Sequence, residues 1–388
     1  MEISACVKYV GVNDHQVDLF EGQYKVPNGM SYNSYVILDD KITVMDTVDG
    51  FFTEEWLNNV EQVLDGKMPD YLVIQHMEPD HSASIPAFLK KYPKATVVST
   101  AKGFQFMEQF FPAFFAVQGL PAEQRIVAAN DGVLELGQHS LHFVYAPMVH
   151  WPEVMMTYEA TEKILFAADG FGKFGALDVE EEWTDEARRY YIGIVGKYGP
   201  QVQAVLKKAA GLDIQTICSL HGPVLKENLG FYLEKYDKWS SYQPEESGVV
   251  IAYASVYGNT RNAAEYLADV LQEKGQKTVL YDLARCDKAK AVADAFRYDR
   301  LVLAGITYNG DLFPCMRSFI EGLTERNYQN RKVAIIENGT WAPMAGKLIL
   351  GMFEKSKNLT FTETKVSIKS AMNAQNKEEI GKLAEELS

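Results

Sequence analysis

A chain of 388 residues has room for two or three domains of roughly 100–200 residues each. Hydrophobic residues make up 47% and charged residues 23%, a globular composition that excludes disordered and fibrous classes. A formal charge of −14 repels a phosphate backbone and excludes nucleic acid as a natural partner.

The N-terminal stretch MEISACVKYVGVNDHQVDLF has no basic start followed by an apolar run. No stretch approaches the ~20 apolar residues of a membrane span, so the expectation is a cytoplasmic protein without a membrane partner. Cys6, Cys218, Cys286 and Cys315 form no C-x-x-C pair, so neither a zinc ribbon nor a rubredoxin-type iron site is encoded. They are expected to be reduced and structural.

In chain order, Asn33–Leu38, Ile42–Met45 and Tyr71–Ile74 read as strands, and Phe52–Leu64 and Ile85–Lys91 as helices. Strand patterns follow at Val133–Leu136, His139–Tyr145, Met155–Tyr158 and Ile164–Phe166. A charged helical stretch then runs from Thr184 to about Ala210. The polar segment Ser240–Gly248, with Pro244, reads as a linker, which divides the chain into residues 1–246 and 247–388. Beyond it, strands Val249–Ala254, Thr278–Asp282, Leu301–Ala304, Val333–Ile336 and Thr360–Val366 alternate with five helices. These helices are Thr260–Glu273, Ala289–Ala295, Pro314–Leu323, Ala345–Glu354 and Lys377–Leu387. That alternation is the pattern of a doubly wound parallel sheet.

All seven histidines precede the linker. His76, Glu78, Asp80 and His81 crowd the segment QHMEPDH, directly after a strand whose end fixes the loop and lets its side chains converge on a metal pair. Three further segments each offer one ligand type at the end of an apolar run: His150 in APMVHWPE, Asp169 in ILFAADG and His221 in ICSLHGP. An isolated histidine is most often a core or surface residue, but four strand-end segments supplying seven ligand types make a site. His15, His139 and His142 match no such position.

The order H-x-E-x-D-H, then H, D and H, resembles the metallo-β-lactamase-like domain of the flavodiiron proteins. Hydrolytic members of that superfamily carry H-x-H-x-D-H, and a carboxylate at Glu78 makes the site harder and more anionic, favouring iron over zinc. The resemblance implies that His76, Glu78 and His150 hold one iron, that Asp80, His81 and His221 hold the other, and that Asp169 bridges them. It extends to SYNSY (Ser31–Tyr35) and EARRYY (Glu186–Tyr191), where Tyr190 or Tyr191 is placed to donate a hydrogen bond to a bound gas. Some members of the family have a histidine that supports the site just before the segment corresponding to Gly29–Tyr35, where this chain has Pro27–Asn28.

After the linker, Ser255, Val256, Tyr257, Gly258, Asn259 and Thr260 (SVYGNT) lie between a strand and a helix, where N–H groups and hydroxyls can cradle a phosphate monoester. Neither G-x-G-x-x-G nor a Walker lysine motif is present. Thr307, Tyr308, Asn309 and Gly310 follow one strand, and Asn338, Gly339, Thr340 and Trp341 follow the next. Their aromatics suit the faces of an isoalloxazine ring. The three loops resemble those of flavodoxin, which implies FMN as cofactor.

Together the resemblances imply an αββα metallo-β-lactamase-like sandwich followed by a flavodoxin-like sheet. The implied activity is an oxidoreductase that passes electrons from FMN to two irons and reduces dioxygen to water or nitric oxide to nitrous oxide. They also imply a head-to-tail homodimer, or a dimer of such dimers. Because no rubredoxin module follows Ser388, the electron donor is expected to be separate, either rubredoxin or a reduced deazaflavin. Two rival readings stand beside this one: a binuclear zinc metallo-hydrolase with a flavodoxin-like regulatory domain, and an electron-transfer or metal-storage protein without turnover.

Overall fold

The computed structural model describes residues 3–388. The chain divides into two compact units, Met1–Tyr191 with Pro200–Tyr236, and Ile192–Gly199 with Asp237–Ser388.

In the first unit, a six-stranded sheet runs in the order Val7–Tyr9, Tyr35–Ile37, Thr43–Met45, Tyr71–Val73, Thr96–Ser99, Arg125–Val127. Its first two pairings are antiparallel and the rest parallel. A second sheet orders Val133–Glu135, Ser140–Tyr145, Met155–Glu159, Ile164–Phe166 and Thr216–Cys218. The two sheets pack face to face because each turns its alternate apolar residues inward: Val7, Tyr35, Met45 and Val73 from the first meet Leu141, Phe143, Met155 and Phe166 from the second. Burying side chains of this size contributes about 1.5–3 kcal/mol each. The helix Thr53–Leu64 buries Trp56, Val60 and Leu64, and Trp56 packs against Phe88 of the helix Ile85–Lys91 with ring centroids 5.8 Å apart.

Three ligand-type residues lie three positions past a strand end: His76 after Val73, Asp169 after Phe166 and His221 after Cys218. Phe166 and Cys218 are directly paired in parallel register, so Asp169 and His221 leave the sheet side by side. The first of these strands belongs to one sheet and the other two to its neighbour. The site therefore forms where strand ends of both layers meet.

Some elements differ from the sequence reading. The stretch from Thr184 to Ala210 is no single helix but Trp183–Tyr190, a π turn at Tyr191–Val195, a 3-10 turn at Gly196–Tyr198, and Gly199–Ala209. Pro200 lacks the N–H that a continuous helix requires, and its ring would meet the carbonyl four residues earlier. The expected strand Asn33–Leu38 is confined to Tyr35–Ile37, because the Asn33 side chain turns instead to the carbonyls of Ser219 and Gly222. The linker is short. The helix Leu229–Ser240 reaches its start and the strand Glu246–Tyr253 begins before its end, with a register shift between Glu246 and Val249.

The second unit is built on a parallel sheet ordered Thr278–Asp282, Glu246–Tyr253, Tyr298–Tyr308, Arg331–Asn338, Leu359–Phe361. In chain order this is 2-1-3-4-5, the doubly wound arrangement whose ligand site lies at the carboxyl ends of strands one and three. The helices Asn259–Glu273 and Ala374–Glu386 cover one face through Ala263, Leu267, Leu271, Ile380 and Leu383. The last strand is split in two: Leu359–Phe361 and Val366–Ile368 both pair with Arg331–Asn338, leaving the more polar residues between them outside the ladder.

Candidate metal centre and flavin cleft

In the first unit the seven ligand-type residues gather into two groups. Atoms of His76, Glu78, His150 and Asp169 lie within 4.8 Å of one another, as do those of Asp80, His81 and His221. Asp169 joins the groups. Its Oδ2 lies 3.3 Å from His76 Nε2 and 3.1 Å from His150 Nε2, while its Oδ1 lies 3.3 Å from His81 Nε2 and 3.8 Å from His221 Nε2. Glu78 closes the first group, with Oε2 at 3.0 Å from His150 Nε2 and 3.3 Å from His76 Nε2. Asp80 Oδ2 closes the second at 3.3 Å from both His81 and His221. The His81 ring points inward, with Nε2 3.0 Å from that of His221.

The donor set fits a pair of cations. Both carboxylate oxygens of Asp80 and of Asp169 are buried without a hydrogen-bond partner among the described residues. Leaving such groups unpaired in an apolar interior is costly, and a metal ion at each group supplies what they lack. Burial opposes charging His150, yet Asp169 and Glu78 outweigh it and raise the imidazole to about 9. Burial likewise opposes ionisation of Glu78, but His150 and His76 hold it well below the usual carboxylate range. This is a strongly anionic cavity, which only protons or cations neutralise.

Further residues, which carried no signal of their own in the sequence, aim the ligands. Glu153 Oε1 accepts from His76 Nδ1 at 2.8 Å and from the Met77 N–H at 3.0 Å, which turns His76 Nε2 into the site. His221 Nδ1 lies 2.7 Å from the Ser31 carbonyl. The Thr47 hydroxyl donates to the His81 carbonyl, and Asp46 accepts from both the backbone and the side chain of Gln75. Asp46, Met148, Ala168 and Phe171 have φ between +48° and +65°, so non-glycine residues in the left-handed region flank the ligand loops. Strain of this kind persists where surrounding structure over-determines it, as at a preorganised site. Glu153 lies three positions after His150 in sequence, yet the ring it holds is that of His76, 77 positions away.

Of the two candidate tyrosines, one is brought to the site. Tyr190 is buried with its ring centroid 5.4 Å from that of His221. Burial, reinforced by Asp169, Asp80 and Glu78, holds its hydroxyl protonated far above the usual range. Tyr191 packs instead against Tyr236 at 5.0 Å, because neighbouring residues on a helix point about 100° apart and cannot share a face. In SYNSY, Tyr32 donates to Asp14 Oδ2 and Tyr35 to the Ser219 carbonyl, so both hydroxyls are already engaged. Of the remaining histidines, His15 meets Asp178 and His142 lies 3.2 Å from the Ser140 hydroxyl, both away from this site.

In the second unit, a cleft of ≈ 510 Å³ opens at the strand ends, within the range of small-molecule sites. All the loop residues singled out in the sequence line it except Gly258, and they are joined by Ile306, Ala342, Met344 and Ser370. Gly258 shapes the turn instead: its φ of +90° suits glycine, and its N–H donates to Ser255 Oγ. The helix that begins at Asn259 has no side-chain cap, so its first N–H groups face the cleft available to an anion. Thr307 is partly committed to structure, its hydroxyl accepting from the Met344 and Ala345 N–H groups. Trp341 and Tyr257 stand 81% and 91% exposed at the rim, an arrangement that needs a flat ligand or a partner to cover it.

A family model described as ODP family beta lactamase matches residues 30–222, and a flavodoxin domain matches residues 250–363. The anaerobic nitric oxide reductase flavorubredoxin of Vibrio vulnificus is 28% identical over 86% of this chain and 69% of its own length. The solved structure of rubredoxin oxygen:oxidoreductase from Desulfovibrio gigas superposes with a TM-score of 0.91 at 25% identity, covering 99% of this chain and 96% of that one. The flavodiiron protein from Giardia intestinalis gives 0.91 at 26% identity, over 100% and 95%. The chain belongs to the flavodiiron proteins. Its fold is accordingly a metallo-β-lactamase-like domain followed by a flavodoxin-like one, and the cofactors of this family are a diiron centre and FMN.

Within this flavodiiron chain, Glu153→Gln keeps the size of the residue that holds His76 but removes its charge. Iron affinity is expected to fall about 10–100-fold while FMN stays bound, as read by competition with a chelator. An unchanged affinity would remove Glu153 from the site. Trp341→Ala should raise the FMN dissociation constant roughly two- to twelve-fold, the equivalent of losing about 0.5–1.5 kcal/mol of aromatic contact. Fluorescence titration of flavin-free protein measures it, and iron content should not change.

Proposed function

We propose that this chain reduces dioxygen or nitric oxide at a diiron centre fed by FMN, with residues 1–246 forming the diiron domain and 247–388 the flavin domain. The observation that carries the reading is Asp169, a buried carboxylate with one oxygen turned to each histidine group. In this reading His76, Glu78 and His150 hold one iron, Asp80, His81 and His221 hold the other, and Asp169 spans them. Bound there, the irons supply gas binding and one-electron redox chemistry, and FMN converts electron pairs to single electrons.

The protein's own part is orientation and proton placement. Glu153 and the Ser31 carbonyl fix two imidazoles so that their Nε2 atoms face inward. Tyr190, kept protonated beside His221, is a hydroxyl donor for the gas or its reduction product. The flavin phosphate would lie on the uncapped helix start at Asn259, with Tyr308 and Trp341 beside the ring.

Names of relatives support an external donor of the rubredoxin class, with reduced deazaflavin as the other choice. The exposed rim aromatics Tyr257 and Trp341 support a head-to-tail homodimer, alone or paired into a dimer of dimers, in which a second copy covers the flavin. Four free cysteines are in keeping with the reducing cytoplasm, and no helix among the described residues is long and apolar enough to cross a membrane.

The zinc-hydrolase alternative is not favoured, because relatives across both domains are oxidoreductases and Glu78 replaces the hydrolases' histidine. The test is gas consumption by anaerobically iron-loaded protein whose FMN has been reduced chemically. Catalytic consumption of either gas supports the proposal, and the ratio of the two rates assigns the preference. Flavin oxidation in a single stoichiometric burst, with no turnover, would favour the electron-transfer or storage reading.

A further inference from the structure

A second group of metal-ligating side chains lies in the first unit and shares no residue with the diiron site. Cys6, His139 and Glu162 bring one ligand atom each within 4.8 Å of one another. They come from three places in the sandwich. Cys6 directly precedes Val7–Tyr9, the edge strand of the six-stranded sheet, while His139 and Glu162 lie in hairpin loops of the five-stranded sheet.

The histidine is set up as a ligand. His139 is only 4% exposed, and Asp39 Oδ2 lies 2.8 Å from its Nδ1 and 2.7 Å from its own backbone N–H. That fixes the ring and directs Nε2 towards Glu162 Oε1, 3.9 Å away and too far for a hydrogen bond. A carboxylate behind one ring nitrogen and an open position at the other is how a metal-bound imidazole is held. The second oxygen of Glu162 is buried without a partner among the described residues.

We propose that Cys6, His139 and Glu162 form a separate structural site for a divalent cation of the zinc class, which ties the N-terminal edge strand to the hairpins of the opposite sheet. A thiolate and a carboxylate balance a dipositive ion, and the thiolate selects zinc over magnesium or calcium. In tetrahedral zinc sites, ligand atoms at about 2.0–2.3 Å from the metal lie roughly 3.4–3.8 Å apart, so these side chains need close only slightly on the ion. Cys6 and Glu162 are both partly exposed, which gives them that freedom and leaves the fourth position to water.

The test is zinc K-edge X-ray absorption on the holoprotein, loaded with iron and FMN and given one equivalent of zinc. No cysteine belongs to the diiron site, so a sulfur scatterer at about 2.3 Å reports on this cluster. The expected result is one Zn–S contact that vanishes in Cys6→Ser, together with at least about a tenfold rise in the zinc dissociation constant in Glu162→Ala. Gas reduction should be unchanged in both variants. Only nitrogen and oxygen scatterers in the wild-type chain, or a Zn–S contact that survives Cys6→Ser, would overturn the site.

Discussion

Asp169→Ala is expected to yield a folded chain that binds FMN fully, holds little or no iron and has lost gas reduction. Asp169 is 1% exposed and lies among four imidazoles, with Glu78 and Asp80 completing the two groups. Removing one partner from a buried, charge-paired set costs about 3–5 kcal/mol, or some 10²–10³·⁵ in affinity, because the remaining charges lose their balance. Both metal positions should weaken together, since each faces one oxygen of the same carboxylate. The flavin should be indifferent, because its cleft is lined entirely by residues of the second unit. Elemental analysis and flavin absorbance on one preparation give both numbers. Asp169→Asn separates charge from shape: it preserves the side chain's volume, so an equal loss of iron assigns the effect to the carboxylate. Iron retained in Asp169→Ala, or iron and flavin lost in proportion, would break the proposed assignment.

The grouping of the candidate metal ligands was legible in the sequence for a physical reason. Strand ends fix their loops, so ligand types three positions past an apolar run point to one place, as His76, Asp169 and His221 do. The inward turn of His81 could not be read from spacing, because it depends on how the short helix Pro79–Ser82 presents its ring. Glu153 was invisible for the opposite reason: a single glutamate three residues after a histidine has no signature until the fold places it behind His76. Tyr190 and Tyr191 were equivalent as letters, and only the helical turn between them sends one to His221 and the other to Tyr236.

In the flavin domain, alternating strands and helices gave the topology, and loops at carboxyl ends of strands gave the cleft. What stayed hidden was local. The split of the last strand depends on where backbone donors find partners, which periodicity does not record, and the same holds for the helix break at Pro200 in the first unit. Ser370 reaches the cleft because its backbone is tied to the Asn338 side chain, 32 positions away in sequence. The cluster around His139 was passed over because its three ligands are spread from Cys6 to Glu162 and converge only when the two sheets pack.

Glu78 stands where the H-x-H-x-D-H pattern of the superfamily's hydrolytic members has a histidine. Glu78→His should exchange the metal, so that cells supplied with both ions yield a protein rich in zinc and poor in iron. Glu78 Oε2 lies within 3.3 Å of both His76 and His150, which hold it ionised, so it contributes a full negative charge and a hard oxygen donor to the first group. An imidazole there removes that charge. Ferric iron, with its greater demand for anionic oxygen ligands, loses more than zinc does, and the oxidised half of a redox cycle becomes harder to reach. Gas reduction should fall at least about a hundredfold, the equivalent of roughly 2.7 kcal/mol on the barrier, even when iron is forced in anaerobically. FMN content should be unaltered. Zinc enrichment with activity lost would tie metal choice to this one side chain. A variant that still prefers iron and still turns over would mean that the choice resides in the six ligands that Glu78→His leaves unchanged, and in the carboxylate of Asp169 above all.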